Sequence, residues 1–155
     1  MTSLRRILDR NEIAFGYRIG YLFNHFSVPV YRGTTAEFGI QRPEFATLFC
    51  AAHLPQATAS DVVQLTGIPR NSVSRAVSNL IATALVKRAA DANDGRRAIL
   101  SLTAKGRRVY EQILPRFQQR QEAMLSVLSA TERGELDRLL NKLVERSDDW
   151  AASEG

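Results

Sequence analysis

The chain has 155 residues with a net charge of +5, 45% of them apolar and 24% charged, which is the balance of a folded globular protein long enough to bury a core. Its single cysteine, Cys50, excludes an internal disulfide and a multi-cysteine metal site, and neither His25 nor His53 sits in a cluster of carboxylates or thiolates. No apolar run approaches the ~18 residues of a membrane helix, Asp9 and Glu12 break up any secretory leader, and no Gly-rich phosphate loop, HExxH or GxSxG occurs. The expectations are one cytoplasmic unit, with at most a small second layer, no cofactor and no metal, that is not an enzyme.

From about Leu4 to Val28 the pattern is helical, with Ile7, Leu8, Ile13, Phe15, Ile19, Leu22, Phe23 and Phe26 supplying apolar faces. Pro29 and Gly33 are expected to end that helix, with Thr34 to Ile40 as a connection. Pro43 suits the first turn of a second helix reaching His53, apolar nearly all round and therefore expected to be buried. Pro55 closes it. Thr58 then reads as an N-cap with Asp61 three residues on, Val62, Val63 and Leu65 are expected to face inward, and Gly67 makes the turn.

The next helix starts at Pro69 and is expected to run through Leu85. Its apolar stripe is Val73, Val77, Leu80, Ile81 and Ala84, which leaves Arg70, Asn71, Ser72, Ser74, Arg75, Ser78 and Asn79 on a polar face without acids. Such a face suits contact with phosphates and base edges. Val86 to Gly106 reads as two strands around a loop, Asn93-Asp94-Gly95, whose residues tolerate positive φ, followed by adjacent arginines Arg96 and Arg97. Thr103 caps a long helix from Ala104 to about Leu128, with a kink expected near Gln112 to Leu114 because of Pro115. Ser129 and Glu132 form a capping box for a last helix carrying Leu136, Leu139, Leu140, Leu143 and Val144.

Charge is concentrated in this middle segment. Between Ile68 and Arg108 nine basic residues face only Asp91 and Asp94, a net of +7, while the rest of the chain nets −2. A positive block on an otherwise slightly acidic protein is the footprint of a polyanion binder, and a solvated basic face is the plainer alternative.

The run Gly67 to Arg75 (GIPRNSVSR), followed by the hairpin from Asp91 to Gly106 with its Asp-Gly-Arg-Arg loop and Leu102-Thr103-Ala-Lys-Gly106 ending, resembles the MarR family of winged-helix transcriptional regulators. Helix order extends the resemblance over nearly the whole chain. Two departures stand out: Pro69 replaces a small capping hydroxyl residue, and Ala92 replaces a frequent wing proline. The resemblance implies a mostly α fold with a small β-hairpin wing. In it, residues 35–102 form a winged helix-turn-helix lobe, and residues 1–34 and 103–155 form a helical dimerisation region.

It further implies a homodimer that binds double-stranded DNA in a sequence-specific way, as a repressor of a palindromic operator. The alternative is a non-catalytic winged-helix dimer that binds RNA or a protein partner. Leu4, Ile7, Leu8, Leu125, Leu128, Leu136, Leu139, Leu140, Leu143 and Trp150 are the interface candidates, against the alternative of a monomeric bundle. Arg70, Asn71, Ser72, Ser74 and Arg75 are then the major-groove readers, although the serines could touch only phosphate. Arg96 would enter the minor groove, oriented by Asp94, and Arg97 would be a backbone contact or solvated.

The resemblance also implies a small aromatic or anionic effector. Tyr17, Tyr21 and His25 recur at i, i+4 and i+8, Arg18 offers a carboxylate partner, and Phe45 and Phe49 would form the opposite wall, unless these aromatics simply pack between helices. Cys50, in an apolar run without a nearby base, reads as an inert thiol rather than a redox sensor.

Overall fold

Asn11 decides where the first long helix begins. In the computed structural model, which describes residues 6–8, 10–91, 94 and 97–151, the Asn11 amide donates to the Ile7 carbonyl while its Oδ1 accepts from the Ile13 N–H at 2.9 Å. Helix α1 therefore spans Ala14–Phe38 rather than starting at Leu4. It also passes through Pro29 and Gly33, which were expected to end it. Proline in a helix interior costs about 3 kcal/mol, and the offset lies downstream. Val30 and Thr34 are buried, and the Thr34 hydroxyl donates to the Ile40 carbonyl at 2.7 Å. The terminator is Gly39, at φ +68°, so the expected connection from Thr34 is largely helix.

Helix α2, Arg42–His53, carries Pro43 in its first turn and buries Phe45, Thr47, Leu48 and Cys50, whereas Phe49 stays 44% exposed. Thr58 and Asp61 form the full reciprocal capping box of α3, Ala59–Thr66, and Gly67 closes it at φ +64°. Val62 is buried, but Leu65 is 65% exposed, against the inward orientation expected of it. An eight-residue helix with only Val62 buried has one inward line, and Leu65 lies off it.

Helix α4, Arg70–Ala82, ends three residues before Leu85, because the chain reverses through Ala84 at φ +56°. This places Ile81 and Ala84 outside and gives their expected inward place to Ala76. Strands β1, Val86–Ala90, and β2, Ala98–Leu102, pair antiparallel with Arg88 opposite Leu100, and the Leu100 N–H also donates to the Ala57 carbonyl at 2.7 Å. That third bond pins the hairpin to the segment that opens α3.

Thr103 caps α5, Ala104–Leu125, by accepting the Gly106 N–H at 2.9 Å. Helix α5 is continuous through Pro115 and ends at Leu125, short of Leu128. The core is built from Leu48, Val62, Val73, Leu80, Val86 and Ile113, each at most 2% exposed. Burying each of these side chains contributes about 1.5–3 kcal/mol. Phe45 stacks on Phe117 with ring centroids 4.4 Å apart, and Tyr31 meets Phe117 edge-on at 5.4 Å.

Contacts divide the chain into two units, the first reaching Phe117 and the second starting at Gln118. The second holds the end of α5, then α6, Ala130–Glu145, and α7, Ser147–Ala151. The expected capping box is present, with the Ser129 N–H donating to Glu132 Oε2 at 2.8 Å and the Glu132 N–H to Ser129 Oγ at 3.3 Å. No described residue of this second unit is buried; Leu140, Leu143 and Trp150 are 48%, 53% and 62% exposed. Among the described residues, no helix is long and apolar enough to cross a membrane.

Candidate nucleic-acid interface

The first turn of α4 begins without a side-chain cap, since Pro69 occupies the N-cap position. It also contains no acid, so the partial positive charge of the helix N-terminus is left unopposed. Arg70, Asn71, Ser74 and Arg75 are exposed there and Ser72 is half-buried, a short outward-facing cluster of donors. Asn71 Oδ1 accepts the Ser72 N–H at 2.8 Å, and the Ser78 hydroxyl turns back to the Ser74 carbonyl at 3.1 Å.

Asn79 stays exposed, as expected of this face, but is not left to solvent alone. Its amide donates to Glu44 Oε1 at 3.3 Å, across to α2. Glu44 is 8% exposed, and its second oxygen, Oε2, is buried with no hydrogen-bond partner. Glu44 lies in the first turn of α2, where the helix dipole favours a carboxylate. Sequence alone gave no sign of this clasp, because a Glu at a helix start also reads as a solvated residue.

In the hairpin, Arg96 lies outside the described residues, so its expected pairing with Asp94 does too. Asp94 is exposed, and its carbonyl accepts the Arg97 N–H at 2.9 Å, while the Asp91 N–H donates to the Arg97 carbonyl at 3.0 Å. The Arg97 guanidinium stands 3.6 Å from the buried Asp91 carboxylate. Arg97 is thus neither simply solvated nor uncommitted: it braces the base of the wing. Asp91, which the sequence reading used as a charge and as the start of the wing motif but gave no partner, is its partner. The signal was present in the two-strand reading, since closing the loop brings its ends together.

The residues expected to hold a small ligand are not all brought to one place. Tyr21 and His25 stack on each other at 3.8 Å on the exposed first half of α1, and Arg18 lies 5.8 Å from the Phe15 ring. Tyr17 is 53% exposed. Phe45 and Phe49 instead line a groove of about 430 Å³ with Phe23, Tyr31, Arg42 and Leu65. Arg42, overlooked in the sequence, is the cation here, 4.9 Å above the Phe23 ring. Burial pushes the Tyr31 hydroxyl pKa up, and the Arg42 charge partly opposes that rise.

Cys50 also lines this groove while remaining 2% exposed. Burial raises its thiol pKa, and the Asp61 carboxylate raises it further. The neutral thiol is favoured, so a disulfide reagent should label native Cys50 on the order of 100-fold more slowly than the denatured chain. Labelling at the denatured rate would restore a redox role.

Residues 38–97 match the family model described as MarR family. No curated protein matches the chain in sequence. Among solved structures, a MarR/EmrR family transcriptional regulator from Acinetobacter sp. ADP1 aligns at TM-score 0.78 and 22% identity, covering 92% of this chain and 98% of that one. The S. aureus MepR–DNA complex aligns at 0.74 and 23% identity over 88% and 98%. Bordetella bronchiseptica BpsR, whose DNA binding is regulated by 6-hydroxynicotinic acid, aligns at 0.70 and 23% identity over 84% and 98%. At such identities the likeness to these structures is one of fold. The family model thus matches the helix-turn-helix and the opening of the wing, and the fold of these MarR-family structures is carried along most of the chain.

Proposed function

We propose that this chain acts as a homodimer that binds a palindromic duplex operator in a sequence-specific way, as a repressor, and that a small aromatic anion modulates the binding. The observation that carries this reading is the exposed, acid-free first turn of α4, with Arg70, Asn71, Ser72, Ser74 and Arg75 beside a basic wing. Arginine pairs bidentately with guanine and asparagine with adenine, and short serines let the helix approach the groove floor. Arg96 is assigned to the minor groove by the family resemblance, and Arg97, held by Asp91, braces the base of the wing. MepR is known in a DNA complex, which supports placing the same fold on a duplex.

Dimerisation is supported by the second unit, whose leucines are left uncovered by their own chain. A two-fold dimer presents two reading helices to two half-sites. The effector reading is supported by the aromatic groove with its single guanidinium at Arg42, a pairing suited to an aromatic carboxylate. BpsR responds to a ligand of that class. Tyr17, Arg18, Tyr21 and His25 then belong to the uncovered face of α1 rather than to this groove, and the ligand's carboxylate pairs with Arg42.

A salt series on duplex DNA tests the reading. Affinity for a duplex selected from a random pool should fall steeply with salt, by about 0.9 in log–log slope per phosphate neutralised. It should also exceed affinity for scrambled duplex by roughly 1000-fold or more. Equal affinity for selected and scrambled DNA, or tighter binding to single-stranded RNA, would overturn it.

A further inference from the structure

We propose that Arg88, in strand β1, is a DNA backbone contact, and that the groove between α4 and the hairpin holds one phosphodiester between Arg88 and Arg70. The inference rests on the duplex-binding reading and adds to it a residue and a place.

The argument starts from strand alternation. Side chains of Val86, Arg88 and Ala90 share one face of the hairpin with their cross-strand partners Leu102, Leu100 and Ala98. Val86 is 2% and Leu100 3% exposed, so this is the face turned toward the core. A charge does not belong on such a face without compensation. Arg88 is nevertheless exposed, and among the described residues no carboxylate pairs with it. Arg88 stands opposite the buried Leu100 and lines the same groove, and a long basic side chain can lay its stem along apolar surface while its guanidinium stays wet.

What it faces is a groove of about 300 Å³ walled by Arg70, Ser74 and Ser78 of α4 and by Ser60 of α3. Arg70, Ser74 and Ser78 are four residues apart and form one line along α4. The groove therefore sets two guanidiniums from different elements around the hydroxyls of Ser60 and Ser74, over an apolar floor that includes Val73, Val77 and Leu100, and among the described residues no acid lines it. A phosphodiester, one negative charge with acceptor oxygens on all sides, is the ligand chemistry that this donor set recognises. The groove lies along α4, whose first two turns carry Asn71 and Arg75, so a strand read by α4 has its backbone at hand. Arg88 would then fix the register of the strand without reading its sequence, and Arg70, counted above with the base readers, would serve the backbone instead.

The test uses the full chain, a scrambled 20-base-pair duplex and the selected duplex, with Arg88→Gln, Arg88→Lys and Arg116→Gln compared to the wild type. Arg116 sits in α5, paired with Glu37, and controls for the loss of one charge anywhere. Arg88→Gln should weaken binding to both duplexes by the same factor, roughly tenfold, as expected for one charge-assisted contact. It should also flatten the salt slope by about 0.9 per protomer, while Arg88→Lys keeps the slope.

Thermal melting of Arg88→Gln within a few degrees of wild type shows that the loss is not one of folding. Should it melt much lower, the slope of Arg88→Met, which keeps an apolar stem, decides instead. If Arg88→Gln behaves like Arg116→Gln, the contact does not exist while the duplex-binding reading stands. If it alters selected but not scrambled DNA, Arg88 reads bases and the phosphate assignment is wrong. A wild-type chain that binds no duplex overturns both.

Discussion

Gly106→Ala should abolish the stable fold of the first unit. A Cβ at that position would stand 1.8 Å from the Leu85 carbonyl oxygen and 2.8 Å from its carbon, both backbone atoms that no side-chain rotation can clear. Neither neighbour is free to retreat. The Leu85 carbonyl accepts the Thr103 N–H at 3.0 Å, and the Thr103 hydroxyl donates to the Ala84 carbonyl at 2.7 Å, so the exit from α4 and the start of α5 are stitched together there. We expect a loss of more than about 4 kcal/mol, among the largest single-residue effects, and a melting temperature lower by at least ~10 °C. Gly16→Ala, where nothing lies within 4 Å, should instead gain about 0.5–1 kcal/mol within α1. A Gly106→Ala protein that melts within two or three degrees of wild type, by an order-of-magnitude scaling, would refute the close approach.

The second large effect concerns assembly. Leu140→Glu combined with Leu143→Glu should convert the protein to a monomer in sedimentation velocity and lower operator affinity by at least ~100-fold, since linked half-site binding is worth that much. Both side chains are about half exposed within the chain, so the charges cost the isolated fold little and helix content should hold by circular dichroism. A double variant that remains dimeric would place the interface elsewhere, and one that stays monomeric but binds the operator normally would remove the need for two reading helices.

The parts of the molecule legible in the sequence are those whose cause is local. Both capping boxes, Thr58 with Asp61 and Ser129 with Glu132, and the turn at Gly67 depend on residues within a few positions of each other. The hairpin followed from turn residues between two β-prone runs, and its register then puts Arg88 across from Leu100.

What sequence reasoning misplaced depends on contacts distant in the chain. Pro29 is a strong local stop, yet burial of Val30 and Thr34 overrides it. Leu65 fits a helical stripe but lies outside on a helix of only eight residues, and Ile81 lies outside because the chain turns away through Ala84. Tyr17, Tyr21 and His25 looked like a binding wall on α1, whereas the groove that Phe45 and Phe49 line is shared with Phe23, Tyr31 and Arg42. Periodicity finds an apolar face; it does not say whether the chain itself or a second molecule covers it. The basic character of the α4 and hairpin face was plain from composition, but Arg88 stood out only once strand facing was known.

Glu44 and Phe45 are neighbours on one turn of α2 that look in different directions, Phe45 into the aromatic groove and Glu44 to Asn79 on the reading helix. Anyone redesigning the groove through α2 to test the proposed effector is therefore also editing the support of α4, the helix proposed to read DNA. A ligand-specificity variant of this protein has to be screened for operator preference at the same time, because a single rigid turn serves both.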